Sequence, residues 1–193
     1  MRLFVCSLLQ AENQDFYDRR VADLVGVTGG RLRPAPRGSA HVTYAFLGET
    51  DAAFLDGIRA AVGSVGAFYG HIPIRLGPPA ILFARSEPRL VCAHVIHGAA
   101  PLRQLTVDIA MSLESIRSGT SLAPARSPHV TLARFGRGAG PEDARVVLAA
   151  LAAGDPASAT REETIASVQV VLSTIGREGP VYTVLADVPM GGR

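Results

Sequence analysis

The five residues His41-Val42-Thr43-Tyr44-Ala45 return 88 residues later as His129-Val130-Thr131-Leu132-Ala133, identical at four of the five positions. Because 22 of the 193 residues are Ser or Thr, a single His-x-Thr triplet carries little information. The matched Val, Thr and Ala make coincidence a poor account, so the chain reads as two similar halves. Each run reads as a β-strand whose imidazole and hydroxyl, at i and i+2, leave the same face roughly 6 to 7 Å apart. The intervening Val42, Tyr44 and Phe46, and likewise Val130 and Leu132, are expected to face a core beneath the sheet. An approximate two-fold between the halves would bring both platforms to one cleft.

Two imidazoles and two hydroxyls around one small group suit in-line displacement at phosphorus. One ring, as base, takes a proton from water, while the other, as imidazolium, protonates the departing ribose oxygen. Thr43 and Thr131 can donate hydrogen bonds to the non-bridging oxygens as negative charge gathers there. A cyclic phosphate fits this equipment because its ring already sets the leaving oxygen opposite a line of attack. The tetrad calls for no metal.

Short apolar runs alternate between strand and helix periods with no long linker, which supports one α+β domain over residues 1–193. Strands are expected at Arg2–Leu9, His41–Leu47, Ile72–Leu76, Ile81–Ala84, Arg89–Ile96, His129–Phe135, Ile165–Ile175 and Val181–Val188. Helices are expected at Glu12–Val25, from Asp51 to about Val65 behind a Thr50 cap, at Pro101–Arg117 and at Pro141–Ala153. Gly77-Pro78-Pro79 is read as a break between strands, and Gly176-Arg177-Glu178-Gly179-Pro180 as a hairpin connection. The closing hairpin and the clustered strands from Ile72 to Ile96 argue for antiparallel sheets over a doubly wound parallel one.

With a formal net charge of +2, the chain lacks the broad basic face of a duplex-binding protein, so any nucleic-acid contact is expected to be local. All 19 basic residues are Arg, the side chain suited to bidentate phosphate contacts. No apolar run approaches the roughly 20 residues of a membrane span, and Met1-Arg2-Leu3-Phe4-Val5 offers no secretory n-region, so a cytoplasmic location is expected. Cys6 and Cys92 sit in apolar strand-like runs without CxxC or zinc spacing and are expected to be buried free thiols.

These residues resemble the 2H phosphoesterases of the LigT-like group, within it the RNA 2′,3′-cyclic phosphodiesterases once called 2′-5′ RNA ligases. The resemblance covers nearly the whole chain. It rests on Arg2-Leu3-Phe4-Val5, on His41-Val42-Thr43-Tyr44-Ala45-Phe46-Leu47-Gly48-Glu49, on Pro128-His129-Val130-Thr131-Leu132-Ala133-Arg134 and on Gly179-Pro180-Val181-Tyr182. It implies a bilobed α+β fold of two antiparallel sheets with pseudo-two-fold symmetry around a central cleft, and no cofactor or metal. It further implies His41 as proton donor, His129 as proton acceptor and a 2′-phosphate product. The partner implied is RNA ending in a 2′,3′-cyclic phosphate, or a small cyclic nucleotide, and a monomer is expected. Where the family often has a tryptophan before the first motif and a basic or bulky residue after the first Thr-hydrophobic pair, this chain has Leu32 and Ala45. Two other readings stay open: a 2H relative acting on another cyclic phosphate or a 2′-5′ linkage, including the reverse ligation, and a non-catalytic RNA-end-binding module.

Simple alternation puts Arg134, five positions past His129, off the His/Thr face. A bulge or the strand's end would be needed to turn it into the cleft as the phosphate-binding residue that the resemblance includes. Tyr182 can stack on a nucleobase or pack in the closing strand. Arg31, Arg33 and Arg37 form a basic loop before the first motif, either solvated or holding upstream phosphates, with Arg33 the substrate-binding candidate. His94 and His97, three apart, face opposite sides of a strand and cannot readily share a metal, so structural or surface roles are expected for them. His71 is expected to be solvated.

Overall fold

The computed structural model describes residues 1–114, 116, 127–154, 159–177 and 179–191. Its strands are β1 (Arg2–Leu8), β2 (Leu32–Pro34), β3 (His41–Glu49), β4 (Ile72–Ala84), β5 (Glu87–His97), β6 (His129–Phe135), β7 (Arg161–Ile165), β8 (Ser167–Gly176) and β9 (Gly179–Pro189). Its α-helices are α1 (Ala11–Val27), α2 (Leu55–Gly66), α3 (Ala99–Glu114) and α4 (Pro141–Ala152), with a 3-10 turn over Ala52–Phe54 ahead of α2.

The strands pair in the order β7-β4-β5-β6-β3-β1-β8-β9, with β2 beside β6, and every ladder is antiparallel. The order is symmetric about its centre. In each half a motif strand, β3 or β6, lies innermost, followed by the strand that precedes a helix leading toward it, β1 before α1 or β5 before α3. The two halves join through one pair, Val42 with Val130, between β3 and β6. A single ladder rung binds them into one sheet, and the expected pair of antiparallel sheets related by a pseudo-two-fold is present as its two four-stranded halves.

Helical periodicity explains how the halves are covered. Asn13, Gln14, Tyr17, Val21 and Leu24 form the buried stripe of α1, and Leu102, Leu105, Thr106, Ile109, Ala110 and Leu113 that of α3. α1 follows β1 yet packs against β2, β6 and α4, whereas α3 follows β5 yet packs mainly against β3 and α2. Each half is thus roofed partly by a helix launched from the other. Gly98 makes the turn from β5 into α3 with φ of 73°, and a Cβ there would stand 2.4 Å from the Pro73 carbonyl oxygen.

Several boundaries differ from the sequence-based expectation for local physical reasons. The strands expected on either side of Gly77-Pro78-Pro79 are one strand, β4, with a register shift between Leu76 and Pro79. β7 pairs with β4 only from Ile72 to Leu76, so both prolines lie where the outer edge has no ladder to break. The strand expected over Ile165–Ile175 is divided between β7 and β8 at Ala166. The cap expected at Thr50 is supplied one residue later, by Asp51, whose carboxylate accepts the Ala53 N–H at 2.9 Å. β2 was not expected at all. In the closing hairpin Gly176 pairs with Gly179; Glu178 of that connection, and Arg117 at the end of the third expected helix, lie outside the described residues. Among the described residues no helix is long and apolar enough to cross a membrane.

Candidate active site

Burial along the two motif strands is the same residue for residue: His and Thr half-buried, Val and the two residues after Thr buried, then an exposed residue. The shared departure from alternation has one cause. Cys6 pairs with Thr43 and Val5 with Ala45, skipping Tyr44, while Cys92 pairs with Thr131 and Val91 with Ala133, skipping Leu132. Each motif strand therefore carries a bulge just past its Thr, and two successive residues face the core. The next residue returns to the His/Thr face. That residue is Phe46 in β3 and Arg134 in β6.

Two expectations are settled by these bulges. Phe46 does not point into the core beneath the sheet: it is 69% exposed and its ring centre lies 6.3 Å from that of Phe4. Arg134 does turn to the cleft side, where its charge bears on both His41 and Tyr182. Arg33 pairs with Arg134 across β2 and β6 and is exposed on the same face. The other two arginines of that loop are occupied, Arg31 with Asp143 at 3.1 Å and Arg37 with Asp18 at 3.7 Å.

Both histidines are held in the same way. His41 Nδ1 lies 2.6 Å from the Ser39 carbonyl oxygen, and His129 Nδ1 lies 2.9 Å from the Ser127 carbonyl oxygen. A carbonyl can only accept, so each Nδ1 carries the proton of the neutral ring and each Nε2 is left for the cleft. The sequence held a signal for this: Ser also precedes each motif His by two positions, extending the repeat. A further support was not legible. Gln14 of α1 accepts from the Ala40 N–H at 2.7 Å and donates to the Ala40 carbonyl at 2.8 Å, clamping the residue before His41.

The surroundings of the two rings differ. Around His41 stand Phe4, at 5.2 Å between ring centres, and Tyr182, edge-on at 5.8 Å, with Phe4 and Tyr182 themselves 5.0 Å apart. Tyr182 therefore packs in the closing strands and also borders the site. Burial lowers the His41 pKa, the Ser39 carbonyl opposes this, and the charges of Arg134 and His129 lower it further. Beside His129 stands His94, its direct partner across β5 and β6, with ring centres 6.2 Å apart. His94 thus shares the face of His129, a position not expected from the sequence, while His97 and His71 are exposed. Cys6 and Cys92 are free and buried, as expected, and take equivalent places opposite Thr43 and Thr131. Among the described residues no three His, Cys, Asp or Glu side chains converge as metal ligands would.

No family model and no curated protein matches the chain by sequence. Solved structures do match it by shape. TT0787 of Thermus thermophilus agrees with a TM-score of 0.77 at 21% identity, over 100% of this chain and 99% of that one. E. coli LigT in apo form gives 0.71 at 20% identity over 99% and 98%, and that protein has also been solved in complex with 3′-AMP and with phosphate. The MHV ns2 PDE domain gives 0.51 at 20% identity over 71% and 85%. Identities this low speak for architecture alone, and the architecture is the bilobed α+β one that the motifs led us to expect: this chain has the LigT-like fold.

Proposed function

We propose that the chain is a metal-independent phosphodiesterase that opens a terminal 2′,3′-cyclic phosphate on RNA to leave a 2′-phosphate, working as a single two-lobed domain. The observation that carries this reading is the matched pair of His-x-Thr strands, each with its Nδ1 tied to a carbonyl two residues back and its Nε2 without a hydrogen-bond partner among the described residues. Binding alone needs no such pair; an acid and a base do. His129 Nε2 takes a proton from water as its oxygen bonds to phosphorus, and His41 Nε2–H gives a proton to O3′ as the P–O3′ bond breaks. Thr43 and Thr131 donate to the non-bridging oxygens, with Arg134 and Arg33 supplying positive charge on the same face. Tyr182 and the exposed Phe46 offer aromatic surface to a base. Phosphate and 3′-AMP, with which E. coli LigT was solved, are ligands of the chemistry expected for this cleft.

The test is purified protein in excess EDTA with an oligoribonucleotide ending in a 2′,3′-cyclic phosphate, the product position read by phosphorus NMR. Turnover to the 2′-phosphate is expected. Activity that EDTA abolishes and a divalent ion restores would overturn the mechanism.

A further inference from the structure

The pseudo-two-fold sets the two halves side by side as internal controls. Cys6 and Cys92 stand opposite Thr43 and Thr131, and one step along, Leu8 stands opposite His41 while His94 stands opposite His129. Leu8 and His94 are both half-buried. A leucine is therefore enough to finish this position of the repeat, and packing does not call for the imidazole of His94. The polar group has been put on one side only, beside the ring assigned as base.

Its free nitrogen can be assigned. His94 Nε2 lies 3.4 Å from Cys92 Sγ. Burial pushes the Cys92 thiol up to about 11, so it remains S–H and can donate to Nε2. Burial first, and then the neighbouring His129, lower the His94 pKa, which favours the neutral ring. Its ring proton then sits on Nδ1, which has no protein partner among the described residues. The spacing is informative as well. Two hydrogen bonds of about 2.8 Å meeting tetrahedrally at one water oxygen put two imidazole centres about 6.5 Å apart, close to the 6.2 Å observed.

We infer that His94 is a water-positioning residue: its Nδ1–H donates to the attacking water, whose own proton passes to His129 Nε2. This rests on the reading of His129 as the base. The water then has one hydrogen bond received and one given, which fixes the lone pair that must face phosphorus. The neutral His94 ring is neither consumed nor protonated in the step.

The test is steady-state kinetics on an RNA 2′,3′-cyclic phosphate with the wild type, His94→Leu, which copies Leu8 of the other half, and His94→Gln, which keeps an N–H donor. The expected result is a fall in kcat of about 10- to 100-fold for His94→Leu, KM and inhibition by inorganic phosphate essentially unchanged, and partial recovery of kcat in His94→Gln. Raised KM and weaker phosphate inhibition at unchanged kcat would overturn the inference, because His94 would then be a phosphate ligand. Unchanged kinetics in His94→Leu would overturn it too. Either outcome requires an active wild type and so leaves the phosphodiesterase reading standing, whereas an inert wild type would bring down that reading and this inference together.

Discussion

Replacing Arg134 by Met isolates what the β6 bulge contributes. The substitution keeps most of the aliphatic stem and removes only the guanidinium. Arg134 is exposed and has no ion pair among the described residues, so stability should change by no more than about 0.5 kcal/mol. A hydrogen bond from a charged donor contributes about 1.5 to 3 kcal/mol net, and exposure argues for the lower end, about tenfold in affinity. Inorganic phosphate titrated by calorimetry should bind about tenfold more weakly, and KM for the cyclic phosphate should rise by a similar factor. The pH profile should move as well. After burial and the opposing Ser39 carbonyl, the Arg134 charge is the next cause acting on His41, and it lowers the pKa. Without it His41 should hold its proton to higher pH, and the alkaline limb of the rate should shift upward. Equal phosphate affinity and equal KM in the variant would refute the claim that the bulge delivers Arg134 to the substrate.

His41 and His94 both have pKa values lowered by burial. The unfolded chain therefore takes up protons first, and stability that is full above about pH 6.5 should fall as pH drops below it. Thermal melts between pH 8 and pH 5 should record this as a falling Tm, less steep in His94→Leu. Gln14→Leu should orphan the Ala40 N–H, while the Ala40 carbonyl keeps its bond from the Leu9 N–H at 3.0 Å, and cost about 1 to 3 kcal/mol in urea denaturation, with kcat reduced more than KM because His41 follows the loosened residue.

The parts of this fold set by local pattern were legible in the sequence. The motif strands, the helices with clean apolar stripes and the antiparallel character all follow from periodicities of 2 and 3.6 and from turn residues. The parts set by pairing between distant strands were not. The bulges after Thr43 and Thr131 exist only in the register against β1 and β5, and they decide that Phe46 and Arg134 face the cleft. A faint trace was present, since Tyr44-Ala45 and Leu132-Ala133 each put two apolar residues where alternation allows one. The place of His94 was hidden for the same reason: that it lies opposite His129 is a fact of β5–β6 register, invisible in a lone histidine on a strand. β2, three residues long, carries too little pattern to be read, and Pro78 and Pro79 do not end β4 because they lie past Leu76, where its outer edge has no partner strand.

The division of labour between the two rings is tested most directly by His41→Ala and His129→Ala, each assayed on the natural cyclic phosphate and on an analogue with an activated leaving group. On the natural substrate each variant should lose on the order of 10²–10⁴ in turnover, the usual scale for one general acid or base. On the analogue His41→Ala should recover most of its rate, since a good leaving group needs no acid, while His129→Ala should stay impaired. Rescue of His129→Ala instead would exchange the roles of the two histidines, and full activity in either single variant on the natural substrate would contradict the paired acid/base mechanism.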